Sequence, residues 1–300
     1  MTIAACYVSA EGVVFGADST TTIYIPGRGP GVPGTLHHYN FAQKVFQVGE
    51  NSTLGMAMWG LGSLPHSSHR TLIAQFADLL LSHGAQSMEG VAKAWSQFFW
   101  NEYSTSLKEL IDHARALQSR PTRTEEEQQE LIRLLEHCSG GFCVGGYLMS
   151  DRMPSAFEIR YAPTLTEPAP VDPLPIGRPR FWGCPNLVHR LIYGLDEEVL
   201  SAILQSEKWK GTHEDLFALL MPHCLGQPFD LPIREAIDWV HASIYTTIKT
   251  MKFSHMPPVC GGPVEVAVIT TDRKFRWVRH KGFDAAIGEG GLFDVYRDQR

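Results

Sequence analysis

The chain has 300 residues, 44% hydrophobic and 19% charged, which suits a packed core in one large domain or two modest ones and excludes whole-chain disorder. A formal net charge of −6 argues against a nucleic-acid-coating protein, because phosphate binding needs a dense cationic face. There is no apolar run near the ~20 residues of a membrane helix, no basic leader before a hydrophobic stretch and no CxxC pair among the six cysteines, so a cytoplasmic protein with reduced thiols and no membrane or nucleic-acid partner is expected.

Thr2 to Val8 and Val13 to Ala17 are nearly continuous apolar runs joined by Ser9-Ala10-Glu11-Gly12, a pattern that predicts a β-hairpin buried on both faces. Residues 26–34 alternate glycine and proline and read as a loop. The formal GxGxxG at Gly29, Gly31 and Gly34 is broken by Pro30 and Pro33 and opens no helix, so it reads as an exposed insertion. Gln43 to Val48 and Leu54 to Met58 are the next predicted strands, closed by Trp59-Gly60-Leu61-Gly62. Leu72, Phe76, Leu79 and Leu80, then Val91, Trp95, Phe98 and Phe99, fall at helical spacing. Thr124 to Glu127 is a capping box before Leu131, Leu134 and Leu135, and the charged stretch 115–133 predicts a solvated helix-turn-helix tip. Strands are predicted at Phe142 to Met149 and Ala156 to Tyr161, a proline-rich loop at 163–179, a helical block from Leu187 to Lys252, and a last strand pair at Val264 to Thr270 and Phe275 to Arg279. Strands that resume after helical hairpins suggest one layered α+β domain.

The sharpest chemical signal is Thr2, directly after Met1. Removal of Met1 before a small residue leaves a threonine with its own base: the hydroxyl attacks and the free α-amine, of solution pKa ~7.7–8.0, takes the proton. Such chemistry needs a cation to tune the amine and a carboxylate to orient that cation. Asp18 stands at the end of the second strand, and Lys44 sits among apolar neighbours inside a predicted strand, where a charge needs a reason.

Thr2-Ile3-Ala4-Ala5 followed by Gly12-Val13-Val14-Phe15-Gly16-Ala17-Asp18-Ser19 resembles the N-terminus of proteasome β-type subunits, members of the N-terminal-nucleophile (Ntn) hydrolases. The Thr2–Asp18 spacing matches that family, and Lys44-Val45-Phe46 is similar to the context of the family lysine. Leu54 to Gly60 is similar to the segment whose glycine N–H forms the oxyanion hole, which maps that donor to Gly60, with Trp59 as the neighbouring alternative. Phe181-Trp182-Gly183-Cys184 and Val259-Cys260-Gly261-Gly262 resemble two family turns that carry serine where this chain has cysteine. The family's second aspartate falls on Pro257.

The resemblance implies an α+β fold, a four-layer α-β-β-α sandwich with extra helical and loop insertions. It would form a single domain over 1–300, with insertions at 26–40 and 112–130 and a flexible tail at 284–300. It implies a threonine-type hydrolase of peptide or other amide bonds, with Thr2 as nucleophile, Lys44 tuning the site, Asp18 orienting Lys44 and Gly60 stabilising the oxyanion. No cofactor or metal is required. The implied partners are a peptide or protein substrate and further copies of the chain in a homo-oligomer, with an ATPase or adaptor left open. Two other readings stand beside it: a non-catalytic assembly or binding protein that keeps the fold, and a small-molecule amidase or acyl transferase. Among weaker patterns, His66 and His69 at i, i+3 permit one helical face but match no metal-site spacing. The aromatic run Trp95 to Tyr103 reads as helix packing or an oligomer contact.

Overall fold

The computed structural model describes residues 2–25, 27–29, 34–206, 208–226, 228–255 and 257–282. Strands β1 (Ile3–Ser9) and β2 (Gly12–Ala17) form the hairpin the sequence predicts, and every residue of both is buried. They sit at the centre of a five-stranded antiparallel sheet in the order β10 (Arg180–Gly183), β1, β2, β11 (Glu265–Thr270), β12 (Arg273–Arg279). A second antiparallel sheet runs β5 (Val45–Gln47), β6 (Leu54–Trp59), β7 (Gly140–Gly146), β8 (Ser155–Tyr161), β9 (Val171–Pro173). Between the sheets, Ala4, Cys6, Val13 and Phe15 of the first pack on Val45, Ala57, Cys143 and Ala156 of the second. Glycines make this possible: a Cβ on Gly55 or Gly145 would meet the Phe15 ring at 2.8 and 3.1 Å.

Eight α-helices are found among the described residues. Helices α1 (His69–His83) and α2 (Met88–Ser106) carry Leu72, Phe76, Val91, Trp95 and Phe99 onto Met56, Met58, Phe142 and Val144 of the second sheet. Ser68 and Ser87 cap their N-termini by accepting the Thr71 and Gly90 amides. Helices α3 (Lys108–Gln118) and α4 (Glu125–Cys138) form the charged tip, with Thr124 and Glu127 closing the expected capping box. The tip keeps a small core of its own at Ala114, Leu117 and Leu131. The helical block after β10 divides into α5 (Asn186–Tyr193), α6 (Glu197–Gln205), α7 (His213–Leu220) and α8 (Ile233–Phe253). Val188 and Ile192 of α5 and Ala236, Val240 and Ile244 of α8 pack on Ile3, Ala5, Val14 and Val266 of the first sheet.

Several expectations need correction. Lys44 lies one residue before β5, not inside it, although its carbonyl still accepts the Met58 amide at 2.9 Å. Two strands absent from the sequence prediction, β3 (Thr21–Ile25) and β4 (Thr35–Tyr39), pair in a two-stranded ribbon apart from both sheets. Alternation there was masked by threonine and histidine. The proline-rich stretch hides β9, where Pro173 is tolerated because β9 is an edge strand. Phe98 and Trp100 pack on the same core as buried Trp95, Phe99 and Tyr103, so the aromatic run is helix packing. His69 opens α1 while His66 precedes it, so the two share no helical face. The predicted tail at 284–300 and the centre of the Gly/Pro segment lie outside the described residues. No helix among those described is long and apolar enough to cross a membrane.

Candidate active site

The hairpin register explains the spacing between the first two candidate residues. Ser9 pairs with Gly12 across the turn and Ala4 with Ala17 at the open end. The next step of the ladder places Ile3 opposite Asp18, whose amide donates to the Ile3 carbonyl at 3.0 Å. A strand pair therefore sets Thr2 beside Asp18 with no further device. The Asp18 carboxylate returns the contact, Oδ1 accepting the Ile3 amide at 3.0 Å.

Asp18 is fully buried, and its carboxylate is saturated. Besides the Ile3 amide, Oδ1 accepts Lys44 Nζ at 2.6 Å, and Oδ2 accepts the Thr20 and Gly261 amides at 3.1 and 3.0 Å. These four donors meet the capacity of an ionised carboxylate. Lys44 is itself buried and also donates to the Thr20 carbonyl at 2.5 Å. A buried ion pair holds only when such extra hydrogen bonds offset its desolvation.

Thr2 is buried at the mouth of β1, and its carbonyl accepts the Cys184 amide at 2.8 Å. Gly183 allows that approach. Its φ is +84°, and a Cβ there would stand 1.9 Å from the Thr2 oxygen. Gly60 ends β6 in an exposed turn with φ +77°, where a Cβ would meet Gly140 Cα at 2.6 Å. The structure thus joins Asp18 and Lys44 in one network that reaches the amide directly after Thr2, and leaves Gly60 outside its hydrogen bonds. The link to Gly60 is indirect: the rings of Trp59 and Trp182 stack with centroids 4.5 Å apart and planes 6° off parallel. Each tryptophan directly precedes its glycine, so the stack ties the Gly60 turn to the Gly183 turn. Buried Glu158 accepts Trp182 Nε1 at 2.6 Å and fixes the ring.

The two cysteines at the serine-like positions both border the network. Cys184 and Cys260 are buried, and their thiols hydrogen-bond to one another. That bond holds the Cys184 thiol below its ordinary range despite burial, and with burial and the Asp18 charge it pushes Cys260 up. Pro257, at the position of the second aspartate, is exposed.

The sequence reading missed Glu265. It is fully buried in β11 opposite Ala17, the residue before Asp18. His280 Nδ1 and Lys281 Nζ approach its Oε1 at 2.7 and 3.1 Å, neither with hydrogen-bond geometry. A charge inside the apolar run Val264 to Thr270 was the available signal, the same one that drew attention to Lys44. A cavity of about 1030 Å³ opens beyond Gln43, between Arg70, Ile73, Leu148 and Trp277, and none of Thr2, Asp18, Lys44 or Gly60 lines it.

No family model matches the sequence, and no curated protein compared with it does. Among solved structures, the chain is similar to the Gly-1 mutant of Anbu from Hyphomicrobium sp. strain MC1. The TM-score is 0.49 and the identity 12%, over 96% of this chain and 91% of that one.

Proposed function

We propose that the chain is a threonine-type N-terminal-nucleophile hydrolase of peptide or other amide bonds. One observation carries the reading: a single saturated carboxylate, Asp18, binds both the amide directly after Thr2 and the Lys44 ammonium. Packing of helices on the outer faces of two stacked sheets supports the four-layer α-β-β-α architecture as the frame. Once Met1 is removed, the Thr2 hydroxyl attacks the scissile carbonyl carbon and its proton passes to the Thr2 α-amine. The tetrahedral oxyanion takes a hydrogen bond from the Gly60 amide, a contact of the kind worth ~2.7–4 kcal/mol. The amine then protonates the leaving nitrogen, the C–N bond breaks, and an acyl ester remains on Thr2 until water resolves it. Lys44, held by Asp18, keeps the amine's proton affinity low by like-charge repulsion.

Hydrolysis of a fluorogenic peptide panel tests the reading. Thr2→Ala protein should have no activity above background, and activity that survives in it contradicts the mechanism. Self-assembly is part of the same proposal. One face of the ribbon exposes Ile23, Ile25 and Tyr39, an apolar surface suited to a neighbouring subunit. Light scattering on the eluted protein should give a mass of several chains, and a monomer would favour a small-molecule amidase.

A further inference from the structure

Nothing in the proposed hydrolysis uses the paired thiols beside it. Cys184 lies on the turn whose amide holds the Thr2 carbonyl at 2.8 Å. Cys260 directly precedes Gly261, whose amide holds Asp18 at 3.0 Å and whose carbonyl accepts the Ser19 amide at 2.9 Å. The two side chains are in hydrogen-bond contact within one buried cluster, and no disulfide joins any of the six cysteines.

We propose that Cys184 and Cys260 are a redox modification site: peroxide oxidises them to a disulfide that binds the turn holding Thr2 to the turn holding Asp18, and a dithiol reductant restores them. The modification stands apart from the hydrolase reading, while its consequence for turnover rests on it. In the first step the Cys184 thiolate attacks one oxygen of hydrogen peroxide. The O–O bond breaks, Cys184 becomes a sulfenic acid, and the departing hydroxide takes a proton to become water. The Cys260 sulfur then attacks the Cys184 sulfur, the S–O bond breaks and a second water leaves. Two thiols lose two electrons, and one peroxide becomes two waters. Cys184 takes the attacking part because its thiol is the more acidic of the two, and it is also the more exposed, at 7% against 3%.

The fold supplies an internal control. Cys6 and Cys143 also hydrogen-bond to one another, between the two sheets, but both are wholly inaccessible. Similar chemistry without access should leave that pair reduced while the first pair reacts.

Bonding brings the sulfurs to about 2.05 Å, so the disulfide draws the two turns together and displaces the amides aimed at Thr2 and Asp18. The test treats full-length protein and its Thr2→Ala form with hydrogen peroxide, then alkylates in denaturant and maps the peptides by mass. The expected result is four alkylated cysteines instead of six, with a cross-linked peptide joining 184 to 260 in both proteins, reversed by dithiothreitol. Cys260→Ser protein should instead trap a dimedone-reactive sulfenic acid on Cys184. Six alkylated cysteines after peroxide, or a cross-link between other positions, would overturn the proposal. In the unsubstituted protein, labelling of Thr2 by an epoxyketone should fall at least tenfold on oxidation and return on reduction. Labelling that is unchanged while the cross-link forms overturns the gating. Cross-linking in a protein whose reduced form never labels at Thr2 upholds the modification and counts against the hydrolase reading alone.

Discussion

Two buried carboxylates lie one strand apart and are held in different ways. Asp18 follows β2 and takes three backbone amides and Lys44 Nζ, all with hydrogen-bond geometry. Glu265 stands across from Ala17 and, among the described residues, is approached by the His280 and Lys281 side chains just after β12, neither in hydrogen-bond geometry. Both are fully buried. Amides fixed by β1, by the Ser19–Thr20 turn and by the Gly261 turn converge on Asp18, so that carboxylate is built into the backbone. Glu265 is approached by side chains rather than by backbone amides. Lys281 shows the cost: burial, together with nearby Arg70 and Lys44, draws its pKa down against the pull of Glu265.

The comparison is broken most severely at Asp18. Asp18→Ala leaves Lys44 buried without its partner, and such truncations cost about 3–5 kcal/mol. Urea unfolding should show that loss, and a peptide assay should show loss of the proposed hydrolysis. Gly183→Ala strikes the same region through sterics alone. The added methyl would lie 1.9 Å from the Thr2 oxygen in a left-handed backbone, so a loss of about 1–3 kcal/mol is expected, with the Cys184 amide displaced from Thr2. Glu265→Gln should change stability by no more than about 1 kcal/mol, because replacing a poorly compensated buried charge removes its desolvation cost along with its attraction. A loss from Glu265→Gln as large as from Asp18→Ala would erase the distinction.

The smallest effect extends the same logic to His69. Burial holds this imidazole below its ordinary pKa, although Nε2 contacts the Leu61 carbonyl at 3.0 Å and Nδ1 lacks a partner. Below pH ~6.5 the unfolded chain binds a proton there and the folded chain does not. Stability due to the neutral ring is therefore complete above that pH and declines as pH falls towards the depressed folded value. His69→Phe, seated against Phe99 and Phe142, should flatten the fall in melting temperature between pH 6.5 and 5.

Much of the first sheet was legible because β1 and β2 are continuous apolar runs whose register follows from a short turn. Thr2 and Asp18 were readable as a pair through the resemblance of their spacing to that of proteasome β-type subunits, and the register is its physical reason. Lys44 was legible as a misplaced charge, but its exact position before β5 was not, since flanking apolar residues extend the apparent strand. β3, β4, β9 and β10 were missed: β3 and β4 are rich in threonine and histidine, β9 and β10 are short, and β10 pairs with β1, a partner distant in sequence. The four donors on Asp18 come from residues 3, 20, 44 and 261, and backbone amides leave no trace in side-chain pattern. Gly60 was legible as a turn glycine, while the tryptophan stack that ties it to Gly183 depends on long-range packing.

The proposed function requires Thr2 to be a live nucleophile beside the Asp18–Lys44 pair. Intact mass and N-terminal sequencing of protein purified from cells, before and after a β-lactone or epoxyketone probe, test it most directly. The expected result is loss of Met1 and a single adduct on Thr2 that Asp18→Asn and Lys44→Met protein do not form. Retained Met1, or an exposed Thr2 that no probe modifies, would contradict it.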